Sequence, residues 1–415
     1  MLTRLGPAEA ASIILDAITA LPAEHVALAD ALGRVAAIQV SSPIDLPHWD
    51  NSAMDGFAVR SEDVAGKCPV ELSVVEQIPA GGFSQRELSQ NQCARIFTGA
   101  PIPKGSDGVV RQEDTSSTSD SRVTINDDRD ARANVRRRGE DISRNSVILE
   151  RGTETGPAQI GALASVAHEP LEVHRRPKVA IMASGDEIAD LSEREAILRG
   201  DKIASSNTYA LVSLVQQAGG MPVEQGIARD DPDDLRKRLL NLPDVDMLVT
   251  SGGVSVGEHD YLRPVFEALG GELKFWRLKI KPGAPVVFGL WRGIPWLGLP
   301  GNPVSSMVTF ELFARPAIRR LLGHSRPFRK TITARTAEPI GLQAPLKHFL
   351  RVVLEESDTE PVARLTGPQG SGILTSMVRA NALLVVPEDR LEVAAGEKLQ
   401  AIRLDETRHV SEPPY

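Results

Sequence analysis

The chain has 415 residues, of which 41% are hydrophobic and 25% charged, and its mean hydropathy is −0.14. These values are typical of a folded globular protein and argue against a disordered chain or a membrane protein. The formal net charge of −8 disfavours a general nucleic-acid or membrane-surface binder, because both classes favour a basic surface. A chain this long exceeds one compact core, so roughly two to four domains are expected.

The cysteine content and the N-terminus indicate a cytoplasmic protein. Cys68 and Cys93 are far apart and form no CxxC pair, so neither a disulfide framework nor a zinc site is expected. No apolar run approaches the roughly 20 residues that cross a bilayer. Residues 1–20 carry acidic side chains within a helical pattern, which differs from a secretory signal peptide.

The first part of the chain is predicted to be helical and then β-rich. Apolar residues repeat at helical spacing over 7–20, where Pro7 suits the first turn and Pro22 ends the helix. A second short helix is predicted around 28–32. Short β-type runs between residues 44 and 150 indicate a small all-β domain inserted into the N-terminal segment.

From residue 157 onward the sequence alternates between helices and strands. Fully apolar strands that alternate with helices predict a parallel, doubly wound α/β sheet. β-type alternation returns after Pro327, so a C-terminal β domain is expected. The predicted helices are 157–166, 207–218, 232–240, 261–269 and 303–322, and the predicted strands are 179–182, 223–228, 246–250, 285–290, 294–299, 331–335, 349–354, 382–386 and 398–403.

Acidic residues follow the predicted strands of the α/β part. Glu187, Asp230 and Asp260 each come after a strand, at the sheet edge where open parallel sheets bind ligands. If these carboxylates converge, each pair about 4 Å apart repels by roughly 4 kcal/mol, and Mg²⁺ is the natural cation to offset that repulsion. Alternatively, each acid is only a helix N-cap, and Asp231 before Pro232 is the best example of that interpretation.

Two turns rich in glycine or proline lie beside these acids. The loop 251–257 lacks the GK[ST] ending of a P-loop and by itself is weak evidence for a phosphate cradle. The turn 299–305 ends a strand and opens a helix, so its free N–H groups would favour an anion, although it could also be purely structural. Lys279 and Lys281 add cations near the same edge, although an exposed lysine is usually only solvated.

Three segments of the N-terminal half also stand out, at 50–58, 98–103 and 136–141. Taken singly, they could be a hairpin signal, a tight turn and a solvated basic face. The sequence contains no HExxH motif, and its eight histidines are scattered. His48-Trp49 is the one aromatic pair that we would test near a ligand.

Taken together, these segments resemble the MoeA family, whose eukaryotic relatives include the gephyrin E domain. The matching strings follow the family order over nearly the whole chain. They are Asp-Asn-Ser-Ala-Met-Asp-Gly-Phe-Ala (50–58), Thr-Gly-Ala-Pro-Ile-Pro (98–103), Arg-Arg-Gly-Glu-Asp-Ile (137–142), Ser-Gly-Asp-Glu-Ile (184–188), Ser-Gly-Gly-Val-Ser-Val-Gly-Glu-His-Asp-Tyr (251–261), Lys-Pro-Gly-Ala-Pro (281–285), Leu-Pro-Gly-Asn-Pro-Val-Ser (299–305) and Gln-Gly-Ser-Gly-Ile-Leu-Thr-Ser (369–376).

The resemblance implies a multidomain α/β fold with four parts. They are an elongated N-terminal helical region for dimerisation (1–43 plus 144–176), an inserted β domain (44–143), a doubly wound molybdopterin-binding α/β domain (177–326) and a C-terminal β barrel (327–415). It also implies a homodimer, in which the α/β domain of one subunit and the β insert of the other form the active cleft.

The implied reaction is Mg²⁺-dependent and converts adenylyl-molybdopterin and molybdate into molybdenum cofactor and AMP. A separate molybdopterin adenylyltransferase and downstream molybdoenzyme maturation factors are implied partners, with no nucleic acid and no membrane. The implied catalytic residues are Asp55, Thr98, Asp141, Glu187, Asp230 and Asp260, with Glu187 and Asp260 as metal ligands. The implied binding residues are Gly252, Gly253, Ser255, Gly257, Lys279, Lys281, Pro300, Gly301, Asn302, Pro303, Ser305, Arg351 and Ser371, the last two at the family's proposed molybdate positions.

Three positions depart from the family pattern. Ala284 stands where a lysine is usual, and His48-Trp49 replaces a more typical Pro-Phe. These departures leave room for a tungstate-preferring paralogue, and a non-catalytic scaffold of the same fold is a second alternative. An adenylyltransferase acting one step earlier is a third, but such an enzyme lacks the β insert and the C-terminal β domain.

Overall fold

The computed structural model describes residues 2–119, 121–254, 261–343, 345–356 and 360–404. Within these ranges, three larger sheets of six, seven and six strands form the framework of the molecule. No helix in the described part of the chain is long and apolar enough to cross a membrane.

The chain begins with a strand that the sequence did not predict. Leu2–Leu5 pairs in parallel with Glu272–Leu278, which was not predicted either, at one edge of the seven-stranded sheet. The helix Pro7–Asp16 follows and buries Ala10, Ala11 and Ile14. It ends before the predicted residue 20, and the N–H of Leu21 donates instead to the carbonyl oxygen of Leu321, 2.8 Å away.

Two separate stretches of sequence form the N-terminal region. Ala23–Val26 pairs with Leu171–His174, and Val40–Ser41 pairs with Val147–Leu149, both antiparallel. The helix Pro157–Ser165 packs beside them, while the predicted second helix is the short 3-10 turn Leu28–Asp30. The chain therefore leaves this region for the insert and returns to it, and the predicted domain boundaries at 43, 143, 176 and 326 stay predictions.

The insert is built on a six-stranded sheet in which Gly56–Val59 is the second strand. That strand is flanked by antiparallel neighbours on both sides, and a Cβ atom at Gly56 would lie 2.0 Å from the carbonyl oxygen of Val110. Only glycine fits this close strand contact. In spatial order the strands are Gly108–Arg111, Gly56–Val59, Gln92–Ile96, Val70–Ile78, Arg122–Ile125 and Thr115–Ser119. The helix Ser61–Val64 and a pairing of Asn51–Ser52 with Val135–Arg136 complete the described insert.

The seven-stranded sheet is mostly parallel, as predicted. Its one reversed strand is Val287–Trp291, which is antiparallel to both neighbours. Arg292 and Gly293 form the two-residue turn after it, with φ of 52° and 81°, and turns of this type join antiparallel hairpins. In spatial order the strands are Leu2–Leu5, Glu272–Leu278, Val287–Trp291, Ile294–Leu299, Met247–Ser251, Lys178–Ser184 and Met221–Ala228.

Helices cover both faces of this sheet, which confirms the doubly wound prediction. Alternate residues of the central strands face opposite sides: Val179 and Ile181 join one core, and Ala180 and Met182 join the other. The first core also holds the helices Pro7–Asp16, Ser206–Gln217 and Pro303–Thr309, the last continuing through Phe310–Ala314 into Arg315–Leu321. The second core holds Pro232–Leu240 and Leu262–Ala268. The short helix Arg194–Arg199 lies on a loop after the strand Lys178–Ser184.

The C-terminal sheet closes on itself, which confirms the predicted barrel. Five strands pair in a ring whose last member returns to its first. In order they are Lys347–Glu355, Val362–Leu365, Thr331–Thr336, Lys398–Arg403 and Ala382–Val386. The segment Ile280–Lys281 adds to the edge of this sheet, and the helix Leu374–Arg379 follows the loop that faces the α/β domain.

Candidate functional site

A cavity of about 670 Å³ opens at the carboxyl ends of four parallel strands of the seven-stranded sheet. This is the edge at which open α/β sheets bind their ligands. The structure brings eight of the predicted site residues to its lining: Glu187, Asp230, Gly252, Gly253, Pro300, Gly301, Asn302 and Pro303.

Two acidic loops are tied together at one side of the cavity. The N–H of Asp186 donates to Asp230 Oδ2 at 3.4 Å, and the N–H of Asp230 donates to Asp186 Oδ1 at 3.3 Å. Lys202 Nζ also donates to the carbonyl oxygen of Asp186. These contacts hold the two carboxylates close to each other despite their like charge.

The Glu187 carboxylate lies close to Gly185, on the same side of the cavity. Gly185 has φ of 139°, and a Cβ atom there would lie 2.8 Å from Glu187 Oε2. A side chain at position 185 would therefore displace the Glu187 carboxylate. Within the described ranges, no lysine or arginine forms an ion pair with this carboxylate, which leaves its oxygens available for a cation.

Asp231 is a helix N-cap, as the alternative interpretation of the acidic residues predicted. Its Oδ1 accepts from the N–H groups of Asp233 at 2.7 Å and Asp234 at 3.0 Å, so it caps the helix Pro232–Leu240. Asp230 lines the cavity, whereas its neighbour Asp231 satisfies helix donors.

The Gly252-Gly253 turn packs tightly against the end of the neighbouring strand. The two glycines have φ of 92° and 66°, and a Cβ atom on either would lie about 3 Å from Ser184 Oγ, at 3.0 and 2.9 Å. The Ser184 hydroxyl is itself buried without a hydrogen-bond partner among the described atoms. Glycine is therefore required at both positions, for conformation and for space.

The Leu-Pro-Gly-Asn-Pro turn also lines the cavity and opens the helix Pro303–Thr309. Its capacity to bind an anion is smaller than the sequence suggested. Pro303 has no N–H, and the N–H of Val304 donates to the carbonyl oxygen of Ser371 at 3.1 Å. That contact also brings a loop of the C-terminal barrel to the cavity, where Gly372 contributes to the lining.

Asn207, Ser184 and Ser251 are cavity residues that sequence reasoning missed. Asn207 donates to both Ser251 Oγ and the carbonyl oxygen of Gly301. The only sequence signal was a Ser-Asn pair at the start of a helix, which is also typical of ordinary capping.

Arg351 is buried and organises the loop that reaches the cavity. Its guanidinium donates to the carbonyl oxygen of Gly370 at 3.0 Å and to Ser376 Oγ at 3.1 Å, and its N–H donates to Gln369 Oε1 at 2.8 Å. Burial lowers the pKa of Arg351 to about 10. Arg351 thus supports the loop on both sides of Ser371, and its predicted role toward molybdate stays a prediction.

Three further predicted binding residues, Ser305, Lys279 and Lys281, do not line the cavity. Ser305 is buried, and its carbonyl oxygen accepts from Thr309 Oγ1 at 2.7 Å. Lys279 and Lys281 are exposed on the segment that joins the barrel, and Pro285 of the same loop lines the cavity.

The insert holds a second predicted group of residues. Asp55 Oδ1 accepts from both the N–H and the hydroxyl of Thr98, each at 2.8 Å. These two hydrogen bonds, with a smaller contribution from Arg95, lower the pKa of Asp55 below its usual value. Asp55 is therefore a firmly ionised, exposed carboxylate.

The basic run beside Asp141 is paired rather than simply solvated. Arg137 Nη1 donates to Asp50 Oδ2 at 2.7 Å, and Arg138 Nε donates to Asp45 Oδ2 at 2.8 Å. The pKa of Asp50 is lowered mainly because its carboxylate accepts from the N–H of Arg138. Asp141 is exposed next to this network, and its N–H donates to the carbonyl oxygen of Leu46 at 3.1 Å.

An exposed aromatic cluster lies on the same insert. The rings of His48 and Trp49 are 5.6 Å apart, and Trp49 packs edge-on against Phe83 at 4.8 Å. The His48-Trp49 pair thus belongs to a packed aromatic surface that includes a third residue.

The structure does not bring all predicted site residues together. Asp55, Thr98 and Asp141 do not line the α/β cavity of their own chain. Ser255, Gly257 and Asp260 lie outside the described residues. Within the described ranges, no group of three or more His, Cys, Asp or Glu side chains could hold a metal ion, so the predicted metal site stays a prediction.

Comparison with known proteins addresses the identity of the chain. Three family models match it in order: the MoeA N-terminal region (domain I and II) at residues 5–167, a probable molybdopterin binding domain at 180–320, and the MoeA C-terminal region (domain IV) at 333–404. A molybdopterin molybdenumtransferase from a Nostoc strain is 34% identical over 95% of this chain and 93% of its own length. The chain belongs to the MoeA family.

Other MoeA relatives agree. A molybdopterin molybdenumtransferase of Haemophilus influenzae is 32% identical over 90% of this chain and 92% of its own length. The crystal structure of the molybdopterin biosynthesis MoeA protein from Pyrococcus horikoshii OT3 superposes with a TM-score of 0.82 at 28% identity, covering 96% of this chain and 100% of that one. The family resemblance and the multidomain α/β fold are therefore both confirmed.

Proposed function

We propose that this chain is a molybdopterin molybdenumtransferase that inserts molybdenum from molybdate into adenylyl-molybdopterin and releases AMP. Its relatives carry this name over nearly their whole length, which makes the chain a transferase of molybdenum cofactor biosynthesis. The observation that carries the finer proposal is the cavity in which two carboxylates face two close-packed turns at the ends of parallel strands.

The cavity offers distinct surfaces to the two ends of an anionic substrate. The Gly252-Gly253 turn and the turn 300–303 would present backbone groups to phosphate oxygens. Glu187 and Asp230 supply the hard oxygen donors that suit Mg²⁺, and we assign Asp260 as a further ligand. When bound, the cation would offset the negative charge that develops on the phosphates as AMP leaves.

Neither cysteine is suited to act on molybdenum. Burial raises the pKa of Cys93 to about 12, and burial together with Asp128 raises the pKa of Cys68. Both therefore remain thiols near neutral pH, and neither lines the cavity. This supports a mechanism in which the dithiolene sulfurs of the pterin substrate receive the metal. We also propose that the chain works in the cytoplasm.

We assign Asp55 an orienting role toward the substrate. Because its pKa is lowered, Asp55 is a weak base, and an ionised carboxylate is better suited to orient a water molecule or a substrate hydroxyl. Since Asp55, Thr98 and Asp141 lie off the cavity of their own chain, we propose a homodimer in which a second copy supplies them. A separate adenylyltransferase would supply the substrate, and maturation factors would receive the product.

The test is restoration of molybdoenzyme activity in a transferase-deficient cell, together with molybdenum insertion by the purified protein. Glu187→Gln and Asp230→Asn are expected to lower kcat/KM by at least roughly tenfold, the scale of changes at metal sites. Asp231→Asn is the matched control, because asparagine still caps the helix and Asp231 does not line the cavity.

The outcomes separate clearly. A wild-type chain that neither restores activity nor inserts molybdenum would overturn the proposed function. If the wild type is active and both cavity variants equal Asp231→Asn, the function stands and the site assignment is wrong.

A further inference from the structure

Asn207 connects three elements that surround the cavity. It lies in the first turn of the helix Ser206–Gln217 and lines the cavity. Its Nδ2 donates to Ser251 Oγ at 2.8 Å and to the carbonyl oxygen of Gly301 at 2.7 Å. Ser251 ends one strand, and Gly301 lies in the turn after the neighbouring parallel strand. One amide group therefore bridges the helix and both turns.

The orientation of this amide is determined by its partners. A backbone carbonyl can only accept a hydrogen bond, so the nitrogen of Asn207 must face Gly301. Ser251 Oγ accepts from Asn207 and donates onward to the carbonyl oxygen of Pro300 at 3.4 Å. The two donated hydrogen bonds leave Asn207 Oδ1 buried, with no hydrogen-bond partner in the described part of the chain.

This arrangement is not explained by local helix structure. Ser205 occupies the N-cap position, and the partners of Asn207 lie 44 and 94 residues away in the sequence. A buried acceptor without a partner destabilises a folded protein. Stability alone therefore does not account for asparagine here, whereas a bridge between two turns does.

The two turns that Asn207 bridges lie against each other. A Cβ atom at Gly301 would lie 3.6 Å from the Cα of Gly252, and the N–H of Gly252 donates to the carbonyl oxygen of Leu299 at 3.1 Å. A substrate that contacts both turns at once needs them at a fixed separation, because misplacement of binding groups by about 1 Å weakens catalysis strongly.

We propose that Asn207 is a positioning residue that sets the separation of the Gly252-Gly253 turn from the 300–303 turn, and thereby the fit of the phosphate-bearing substrate. This inference rests on the proposed function. Asn207 acts through Ser251 and Gly301 rather than on the reacting atoms.

Asn207→Asp tests the proposal with almost no change in shape. The substitution places an oxygen opposite the Gly301 carbonyl, so an attraction becomes a repulsion. It also adds a negative charge, and Ser206→Asp adds the same charge at a neighbouring cavity residue without breaking either hydrogen bond. Ser213→Ala, on the exposed side of the same helix, controls for changes in the helix itself.

We expect Asn207→Asp to raise KM for adenylyl-molybdopterin at least fivefold more than Ser206→Asp does. A fivefold change in KM corresponds to about 1 kcal/mol of binding free energy. The kinetic constants are measured per folded protein, with the folded fraction taken from circular dichroism. In the wild type, Ser251 Oγ and the Gly301 carbonyl oxygen both accept from the same nitrogen of Asn207, at 2.8 and 2.7 Å. A crystal structure of Asn207→Asp should show these two oxygens too far apart to share one donor.

Failure of this inference is distinct from failure of the proposed function. If the wild type inserts no molybdenum, the proposed function fails. If the wild type is active but Asn207→Asp has the KM of Ser206→Asp, the positioning role is overturned. A variant that only melts at a lower temperature, with unchanged KM and kcat per folded molecule, would also overturn it, because that result describes a purely structural residue.

Discussion

At the scale of single residues, Asp55 and Thr98 show how a short motif sets a charge. Both residues are exposed, yet the hydroxyl and the N–H of Thr98 converge on the same carboxylate oxygen. Hydrogen bonds to a carboxylate favour its ionised form, so the pKa of Asp55 falls. The pair is therefore a local electrostatic unit on the surface of the insert.

Thr98→Val removes the hydroxyl but keeps the backbone donor. We expect the pKa of Asp55 to rise toward its usual value of 3.8 while remaining below it. Because a lowered pKa favours the ionised form above that pKa, the acid limb of the activity profile should move to higher pH in the variant. Carboxyl NMR titration measures the shift, with Asp50 as an internal control because its partners are Arg137 and Arg138. An unmoved Asp55 pKa would contradict this account.

At the scale of elements, glycines decide how closely strands approach. Gly56 begins the second strand of the six-stranded insert sheet, and an added Cβ would meet the carbonyl oxygen of Val110 at 2.0 Å. Gly161 lies in the helix Pro157–Ser165 with nothing within 4 Å of such an atom. The same substitution should therefore have opposite effects at the two positions.

Gly56→Ala is expected to lower the free energy of unfolding by about 1–3 kcal/mol or more, since overpacking forces the strands apart. Gly161→Ala should raise it by up to about 1 kcal/mol, because alanine is the better helix former. Urea denaturation of both variants measures the difference. Equal free energies of unfolding would show that the strand contact relaxes without cost.

A buried histidine, His324, lies just after the helix Arg315–Leu321. It shares a contact to Arg319 with Glu154 of the N-terminal region. Arg319 Nη2 lies 3.1 Å from His324 Nδ1 and 3.3 Å from Glu154 Oε2. Because arginine can only donate, His324 Nδ1 must accept and the ring is neutral. Burial, with Arg319 and Arg315, lowers the pKa of His324 to about 3.

This histidine should make the protein less stable in acid. The unfolded chain takes up the proton below the usual pKa of 6.5, while the folded chain resists it down to about 3. The free energy of unfolding should therefore decrease as pH falls from 6.5, by up to about 1.4 kcal/mol per pH unit from this residue. Denaturation at pH 6.5 and at pH 5 should show a smaller loss of unfolding free energy for His324→Gln than for the wild type. His25→Gln, at an exposed position, should leave it unchanged, and parallel slopes for all three proteins would refute the assignment.

At the scale of the whole molecule, the predicted site is split between two regions of one chain. The α/β cavity holds Glu187 and Asp230, whereas Asp55 and Thr98 lie on the insert and off that cavity. The proposed closed homodimer, with two equivalent clefts, would bring these two regions together. Light scattering should accordingly give a particle of about twice 44.8 kDa.

Mixing inactive variants tests the shared cleft directly. A heterodimer of Asp55→Asn and Glu187→Gln subunits has one cleft with both defects and one with neither. Co-expression and random assembly should therefore restore about a quarter of wild-type activity. A mixture of Glu187→Gln and Asp230→Asn is the control, because both changes lie in the same domain and every cleft stays defective. Equal activity of the two mixtures would exclude the shared cleft.

The sequence alone could predict most elements and the family. Period-2 and period-3.6 patterns located Pro232–Leu240, Ile294–Leu299, Ala382–Val386 and Lys398–Arg403 with their observed bounds. The motif strings identified seven of the eight predicted residues that line the cavity, and the eighth, Asp230, was identified by its place after a predicted strand. Both successes rest on local information, because side-chain periodicity and turn chemistry are written in neighbouring residues.

Tertiary structure decided what depends on distant partners. Leu2–Leu5 is a strand because Glu272–Leu278 pairs with it, and Val304 loses its free N–H because Ser371 approaches from the barrel. Asn207 gained its position from Ser251 and Gly301, which no local pattern connects to it. The sequence therefore determined the elements and the family motifs, whereas the fold decided which loops meet at the sheet edge, because hydrogen-bond partners far apart in the chain become neighbours only after folding.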